Sequence, residues 1–271
     1  MTSIHSLCHL SLWIFVGLFF FTGCDSTDNT VQIDGGPRNF DARAAFSFEV
    51  TVAHQRRIRL EAISGNVEIN GKPGIRSVIV TGERIVESTS RRDADDHLDD
   101  LEVQVRDLTD EVFVQTIQPR NSLHRNYVVH YTITVPQDLA VEVTHVNGNL
   151  AIEAIENDVA VEHVNGNVRL GSIVGNAFAQ VVNGFIDSDV TMPRDGTITL
   201  TTSNGGIDLT IPVSTSAELS ASVNNGQIQT ANLALQNPSE LPQSLEGTLG
   251  DGAGTIDLTT LNGNINVRGR N

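Results

Sequence analysis

Cysteine is nearly missing from this chain: of 271 residues only Cys8 and Cys24 are cysteine. The chain beyond Cys24 can therefore form no disulfide, offers no thiolate to a metal and has no thiol nucleophile. Tryptophan and lysine are as scarce, with Trp13 and Lys72 the sole examples. Beyond residue 23 the aromatic rings are Tyr127, Tyr131 and six phenylalanines, a thin supply for the stacking platforms that sugar-binding sites use. Positive charge is short too: 17 basic residues face 33 acidic ones, for a formal net charge of −16. Such a surface repels phosphate backbones, so nucleic acid is excluded as a partner. An acidic surface also suits a strand-rich protein that must keep its sheet edges from pairing with neighbours.

Long apolar runs are absent except at the start, where Leu10 to Phe21 carries Trp13, Phe15, Phe19, Phe20 and Phe21 and no residue from Met1 to Gly23 is Lys, Arg, Asp or Glu. This run is too short to span a bilayer comfortably and fits the apolar region of a signal peptide. Phe21-Thr22-Gly23-Cys24 follows at once and resembles the bacterial lipobox, in which cleavage precedes a cysteine that then carries lipid. It departs from the usual motif in starting with Phe21 where Leu is common, and the segment before it has no Lys or Arg. The resemblance implies residues 1–23 as signal peptide, Cys24 as the lipidated residue and a membrane as partner through that lipid. Residues 24–44 are polar and hold Gly35-Gly36-Pro37, which reads as a flexible tether.

What the chain does have is a repeat. Asn147-Gly148, Asn165-Gly166 and Asn183-Gly184 recur 18 residues apart, Asn204-Gly205 and Asn225-Gly226 follow at 21, and Asn262-Gly263 closes the series after 37. Apolar residues alternate around each pair, as in Val141 and Val143 before and Leu150 and Ile152 after. Alternation of period two means strands with one buried face, and Asn-Gly marks a tight turn between them. A second turn signal lies halfway, at Glu156-Asn157-Asp158 and Gly175-Asn176, so each unit is two strands and two turns. Either a meander of hairpins or a β-solenoid fits. The constant interval favours the solenoid, because coils stack in register only when their lengths match. Stacking places the asparagines in a ladder of side-chain amides at ~4.8 Å spacing. It also suggests Val146, Val164 and Val182 as an interior column and His145 and His163 as exposed residues of the ladder.

The fold expected is thus all-β: a solenoid of 18–21-residue coils over 137–271, preceded over 45–136 by a less regular strand-rich part. That part holds one short helix near Ser88 to Leu101, where Arg91, Arg92, Asp93, Asp95, Asp96, Asp99 and Asp100 crowd together. Leu101 to Val114 reads as a hairpin, and Tyr127 to Val135 as a strand ended by Pro136. Residues 232–246, with Pro238 and Pro242, read as a loop leaving the stack.

The strand ending at Pro136, the repeated (Val or Thr)-x-Asn-Gly-x-(Ile/Val)-x-(Leu/Ile), and the closing run Gly247 to Gly254 with Thr259-Thr260-Leu261-Asn262-Gly263-Asn264-Ile265 resemble one known group. They are similar to the bacterial putative-adhesin domain family, a domain of unknown function related to the head domain of autotransporter adhesins. The resemblance covers roughly residues 46–271. It implies a repetitive β fold in the cell envelope and brings no catalytic residue with it.

The candidate chemistry is thin. His145 and His163 share a repeat position, but Val181 follows in the next coil, and two ligands make a poor zinc site. The Asp93 to Asp100 run lacks the glycine and spaced ligands of a calcium loop, and reads as a solvated charge run. Asp187 and Asp189 share a strand face at ~7 Å, a spacing that suits glycoside chemistry. Ser203 and Ser222 read as turn hydroxyls. No catalytic residue, metal or cofactor is assigned. The reading is a lipid-anchored, non-enzymatic envelope protein, on the periplasmic or outer surface, that serves as a scaffold or adhesion surface. Another envelope protein or a surface glycan is the candidate partner. A carbohydrate-active β-helix enzyme and an accessory or sensor partner of a membrane complex are the alternatives.

Overall fold

The computed structural model of the protein describes residues 40–271. The expected signal peptide, Cys24 and residues 24–39 of the expected tether lie outside the described residues. The chain opens with β1 (Phe40–Thr51), β2 (Arg57–Ser64), β3 (Val67–Lys72) and β4 (Ser77–Ser88). Helix α1 (Arg91–Asp96) follows, with the Ser90 hydroxyl capping it by accepting from the Asp93 N–H and Ala94 buried beneath. A 3-10 turn (Leu98–Asp100) leads to the hairpin β5 (Glu102–Asp107) and β6 (Glu111–Ile117), and then to β7 (Asn126–Pro136). Four strand pairs come next: β8 (Ala140–Asn147) with β9 (Leu150–Glu153), β10 (Val159–Asn165) with β11 (Val168–Val174), β12 (Ala177–Asn183) with β13 (Ile186–Thr191), and β14 (Thr197–Asn204) with β15 (Ile207–Pro212). The chain closes with β16 (Ala217–Asn225), β17 (Ile228–Ala231), β18 (Gln236–Leu241), β19 (Ser244–Leu249), β20 (Gly254–Asn262) and β21 (Ile265–Arg270).

These strands form two sheets, ordered β1-β4-β7-β3-β9-β11-β13-β15-β21-β17 and β18-β19-β16-β20-β14-β12-β10-β8-β2-β6-β5. Each coil gives one strand to each sheet, and neighbouring coils pair in parallel, so the fold is a β-solenoid and the meander is excluded. His163 lies beside His145 and Asn165 beside Asn147, one coil apart, and Asn183 and Asn204 continue the row. The buried residues of all coils make one continuous apolar core.

Five particulars differ from the expectations above. First, the coil of Asn262 is not the end of the stack. β20 pairs with β14 on one side and β16 on the other, so the last coil in sequence is wedged between the coils of Asn204 and Asn225. The link from Pro212 to Ala217 thereby crosses two strand spacings, about 9.6 Å, which a few extended residues span.

Second, the Ser64-Gly65-Asn66 turn of the less regular part, which reads in sequence as a degenerate form of the repeat, belongs to a regular coil of the stack. β2 pairs with β8 and puts Ser64 beside Asn147, so Ser64-Gly65 occupies the place of an Asn-Gly. The antiparallel strands β4 and β7 then extend one sheet, and β6 and β5 the other.

Third, residues 232–246 are not a plain loop. β18 and β19 form a hairpin that covers the free edge of β16. Pro238 falls at the register shift of the outermost strand, where its missing N–H removes no ladder bond.

Fourth, the strand β1 begins at Phe40 and pairs with β4, so the folded body starts five residues before the expected tether boundary.

Fifth, Val146, Val164 and Val182 stack in line but on the outer surface, with Val164 37% and Val182 40% exposed. The parity set by buried Val141 and Val143 continues to position 145, so the histidines take the inner column and the valines the outer one.

Candidate functional site

The Asn-Gly corners are where the repeat meets solvent, and their geometry follows from stacking. Gly148, Gly166, Gly184, Gly205 and Gly263 have φ between +130° and +159°, a region that side chains avoid. Space imposes the same choice. A Cβ on any of the six corner glycines, Gly226 included, would sit 1.8–2.0 Å from the carbonyl oxygen of the glycine one coil below. The asparagine beside each glycine completes a ladder. Asn165 Nδ2 donates to Asn147 Oδ1 at 2.9 Å, Asn183 to Asn165 at 2.8 Å and Asn204 to Asn183 at 2.8 Å. Asn262 then donates to Asn204 at 2.9 Å and Asn225 to Asn262 at 2.9 Å, in the wedged order.

A second ladder escaped the sequence reading. The side-chain oxygens of Asn66, Asn149, Asn167 and Asn264 accept from the backbone N–H of Asn149, Asn167, Phe185 and Gln227 in the neighbouring coil. The signal was the second asparagine of each Asn-Gly-Asn, present at Asn149, Asn167 and Asn264. Both ladders satisfy corner groups that packing would otherwise leave bare.

The carboxylates singled out in sequence are held by cations. Arg169 bridges Glu153 at 2.7 Å and Asp187 at 3.0 Å, and Arg270 holds Asp189 at 2.7 Å. Asp187 and Asp189 thus have separate guanidinium partners and do not face each other as an acid–base pair. In the acidic run, Arg91 and Arg92 reach Asp95 and Asp96 across one helical turn. Asp93 accepts from Arg125 Nε at 2.8 Å and Nη2 at 2.7 Å. That pairing, with the Ser88 hydroxyl, pulls the Asp93 carboxyl down to about 2. Among the described residues, no three His, Cys, Asp or Glu side chains gather where a metal ion would fit. Ser203 is half-buried and Ser222 exposed.

His145 and His163 are not surface residues: they are 0% and 2% exposed. Their rings stack with centroids 4.8 Å apart and planes inclined by 24°. Parity places them inside, for the reason given for the valines.

Outside, each broad face carries a shallow groove. One, of ≈ 360 Å³, lies on the β8–β14 face among Glu142, Ala160, Phe178 and Thr199. The other, of ≈ 510 Å³, lies on the opposite sheet among Asn149, Ala151, Arg169, Phe185 and Asp187. In each, a phenylalanine stands beside an alanine of a nearby coil, and polar side chains rim the recess. No helix among the described residues is long and apolar enough to cross a membrane.

Residues 26–268 match the family model described as Toastrack DUF4097. The chain belongs to the Toastrack family. No curated protein matches it in sequence. Among solved structures, the Toastrack chain is similar to a "putative cell adhesion protein" from Clostridium sporogenes. The two are 12% identical over 84% of this chain and 100% of that one, with a TM-score of 0.48. It is also similar to a "putative adhesin" from Bacteroides fragilis, with 13% identity over 84% and 97% of the two chains and a TM-score of 0.36. A "putative lipid binding protein" from Parabacteroides distasonis is 11% identical over 82% and 96%, with a TM-score of 0.23. The Toastrack coils are the β2/β3 pair and the six Asn-Gly units stacked on it.

Proposed function

We propose that this protein is a non-enzymatic component of the bacterial cell envelope, held by lipid on Cys24, whose solenoid offers a rigid contact surface for adhesion or scaffolding. The observation that carries this reading is how the polar side chains are spent. The corner asparagines bond to one another along the stack, and the outward carboxylates Glu153, Asp187 and Asp189 are held by arginines. A stack so used is stiff and presents equivalent side chains at a fixed ~4.8 Å interval, which suits recognition of an extended partner. Another envelope protein or a surface glycan is such a partner, and the two grooves are where it would lie.

The test compares the wild type with Cys24→Ala in cells fed an alkynyl palmitate analogue. The wild type should take up label and sediment with membranes, and the variant should do neither. Purified protein should also bind envelope material saturably while leaving its polysaccharides at full length. Equal labelling of the two chains would remove the anchor from the reading, and shortened polysaccharide would replace contact with catalysis.

A further inference from the structure

The two buried histidines are left over from everything above. His163 Nδ1 lies 3.1 Å from the carbonyl oxygen of His145, but His163 Nε2 and both ring nitrogens of His145 have no hydrogen-bond partner. Unpartnered buried polar atoms are rare, and three in one stacked pair mark a place where the fold holds something other than best packing. Other coils solve the same inner position differently. Ala62 and Val181 flank the pair with apolar side chains, and further along Thr202 and Thr260 donate to the carbonyls of Gly184 and Gly205. The histidines alone bring titratable groups into this column.

No charged side chain inside the stack faces the pair, and only backbone groups of Gly65 and Asn147 at His145, and of His145, Gly148, Asn165 and Gly166 at His163, favour a protonated ring. Arg57, Arg59 and Glu61 on β2, Glu142 on β8 and Glu162 on β10 all occupy the outward set of alternating positions, and β12 has no charged residue. On the facing sheet Glu68, Glu153 and Arg169 also alternate outward, between buried Val67, Leu150 and Val168. His130 accepts from the Asn66 N–H at its ring Nδ1, and Tyr131 shares its hydroxyl hydrogen bond with Thr116.

We propose that His145 and His163 are an acid-triggered release built into the coil stack: proton uptake by the pair loosens the Asn147 and Asn165 coils while the coils beyond them stay wound. This goes beyond the contact-surface reading and does not depend on it. Burial pushes His145 down to about 4, with the neighbouring His163 ring adding to the effect, and burial lowers His163 as well. The free imidazole titrates near 6.5, so the opened coils bind more protons than the closed ones at any pH below that value. Closure is therefore fully favoured above about 6.5 and weakens as the pH falls towards 4. For His145 alone the opening equilibrium should rise roughly a hundredfold between pH 7 and pH 4. In a solenoid each coil is held mainly by its neighbours, which lets two coils open before the rest.

The test is amide hydrogen exchange on the intact protein at pH 7 and pH 4, corrected for intrinsic rates. The amides to follow are Gly148, which donates to Asn165, Gly166, which donates to Asn183, and Gly263, which donates to Asn225. Protection at Gly148 and Gly166 should drop about a hundredfold or more in the wild type, with a much smaller change at Gly263. In the double variant His145→Leu and His163→Leu, the three amides should change together. Uniform loss along the whole wild-type stack, or the same local loss in the variant, would overturn the proposal. If the variant does not fold, imidazole titration of the wild type by NMR decides. In the native spectrum the His145 ring should stay neutral down to about pH 5 and the His163 midpoint should fall below 6.5, and midpoints near 6.5 for both would refute the idea.

Discussion

A chain that stops at Ala253 should lose its fold, not merely its final coil. The truncation removes β20 and β21, which place Ile256, Leu258, Ile265 and Val267 in the core at 0–1% exposure. At roughly 2 kcal/mol for each buried aliphatic side chain, that is on the order of 8 kcal/mol. Losses of this size match the whole stability of an ordinary domain. The damage also spreads, because β20 is the parallel partner of both β14 and β16, and β21 of both β15 and β17. Without them β16 and β17 each face a gap one strand wide. The truncated chain should show no cooperative unfolding transition by circular dichroism and should be digested rapidly along its whole length. Were the last coil an end cap, the shortened protein would still melt cooperatively, only a few degrees lower.

Gly166→Ala should be a costly single exchange at a corner. Its φ is +137°, and the added Cβ would fall 1.9 Å from the Gly148 carbonyl oxygen, so the two coils must separate. Backbone strain of this kind costs ~1–3 kcal/mol by itself, and separation of the coils adds to it. A total of about 3–4 kcal/mol corresponds to a melting temperature lower by roughly 10 °C in a domain of this size. Gly74→Ala is the control. It has φ of +72° but nothing within 4 Å of the added atom, so only the strain of about 1–2 kcal/mol applies. Equal destabilisation of the two variants, read from thermal melts, would mean that coil contact contributes nothing at the corner.

Much of this architecture was legible in the residues. The 18-residue interval between Asn147, Asn165 and Asn183 gave the coil length, and equal length gave register, because stacking rewards it directly. The helix at Arg91–Asp96 and the hairpin β5–β6 were readable from local spacing alone. The position of the Asn262 coil was not. An interval of 37 residues measures distance along the chain, and which strand edge the returning segment meets is a long-range matter. The inner column was misjudged for a smaller reason. Valine before Asn-Gly looks like core, yet Val141 and Val143 had already set the phase, and it selects His145 over Val146. The candidate site fared likewise. The amide ladder followed from Asn-Gly, whereas the arginine partners of Asp187 and Asp189 sit 18 and 81 residues away and leave no mark in local sequence.

Disulfide trapping tests the wedged stack most directly. In a chain with Cys8 and Cys24 changed to serine, cysteines would be placed pairwise at outward positions of the β14, β20 and β16 strands. Thr201 lies beside Thr259, and Thr259 beside Ser222. Neighbouring strands hold their Cα atoms ~4.8 Å apart, within reach of a disulfide, whereas Thr201 and Ser222 are separated by two spacings, about 9.6 Å, and are out of reach. Oxidation should therefore link Thr201→Cys to Thr259→Cys readily and leave Thr201→Cys with Ser222→Cys unlinked. Ready linkage of Thr201→Cys to Ser222→Cys, with none to Thr259→Cys, would mean that the coils stack in chain order and would contradict the account.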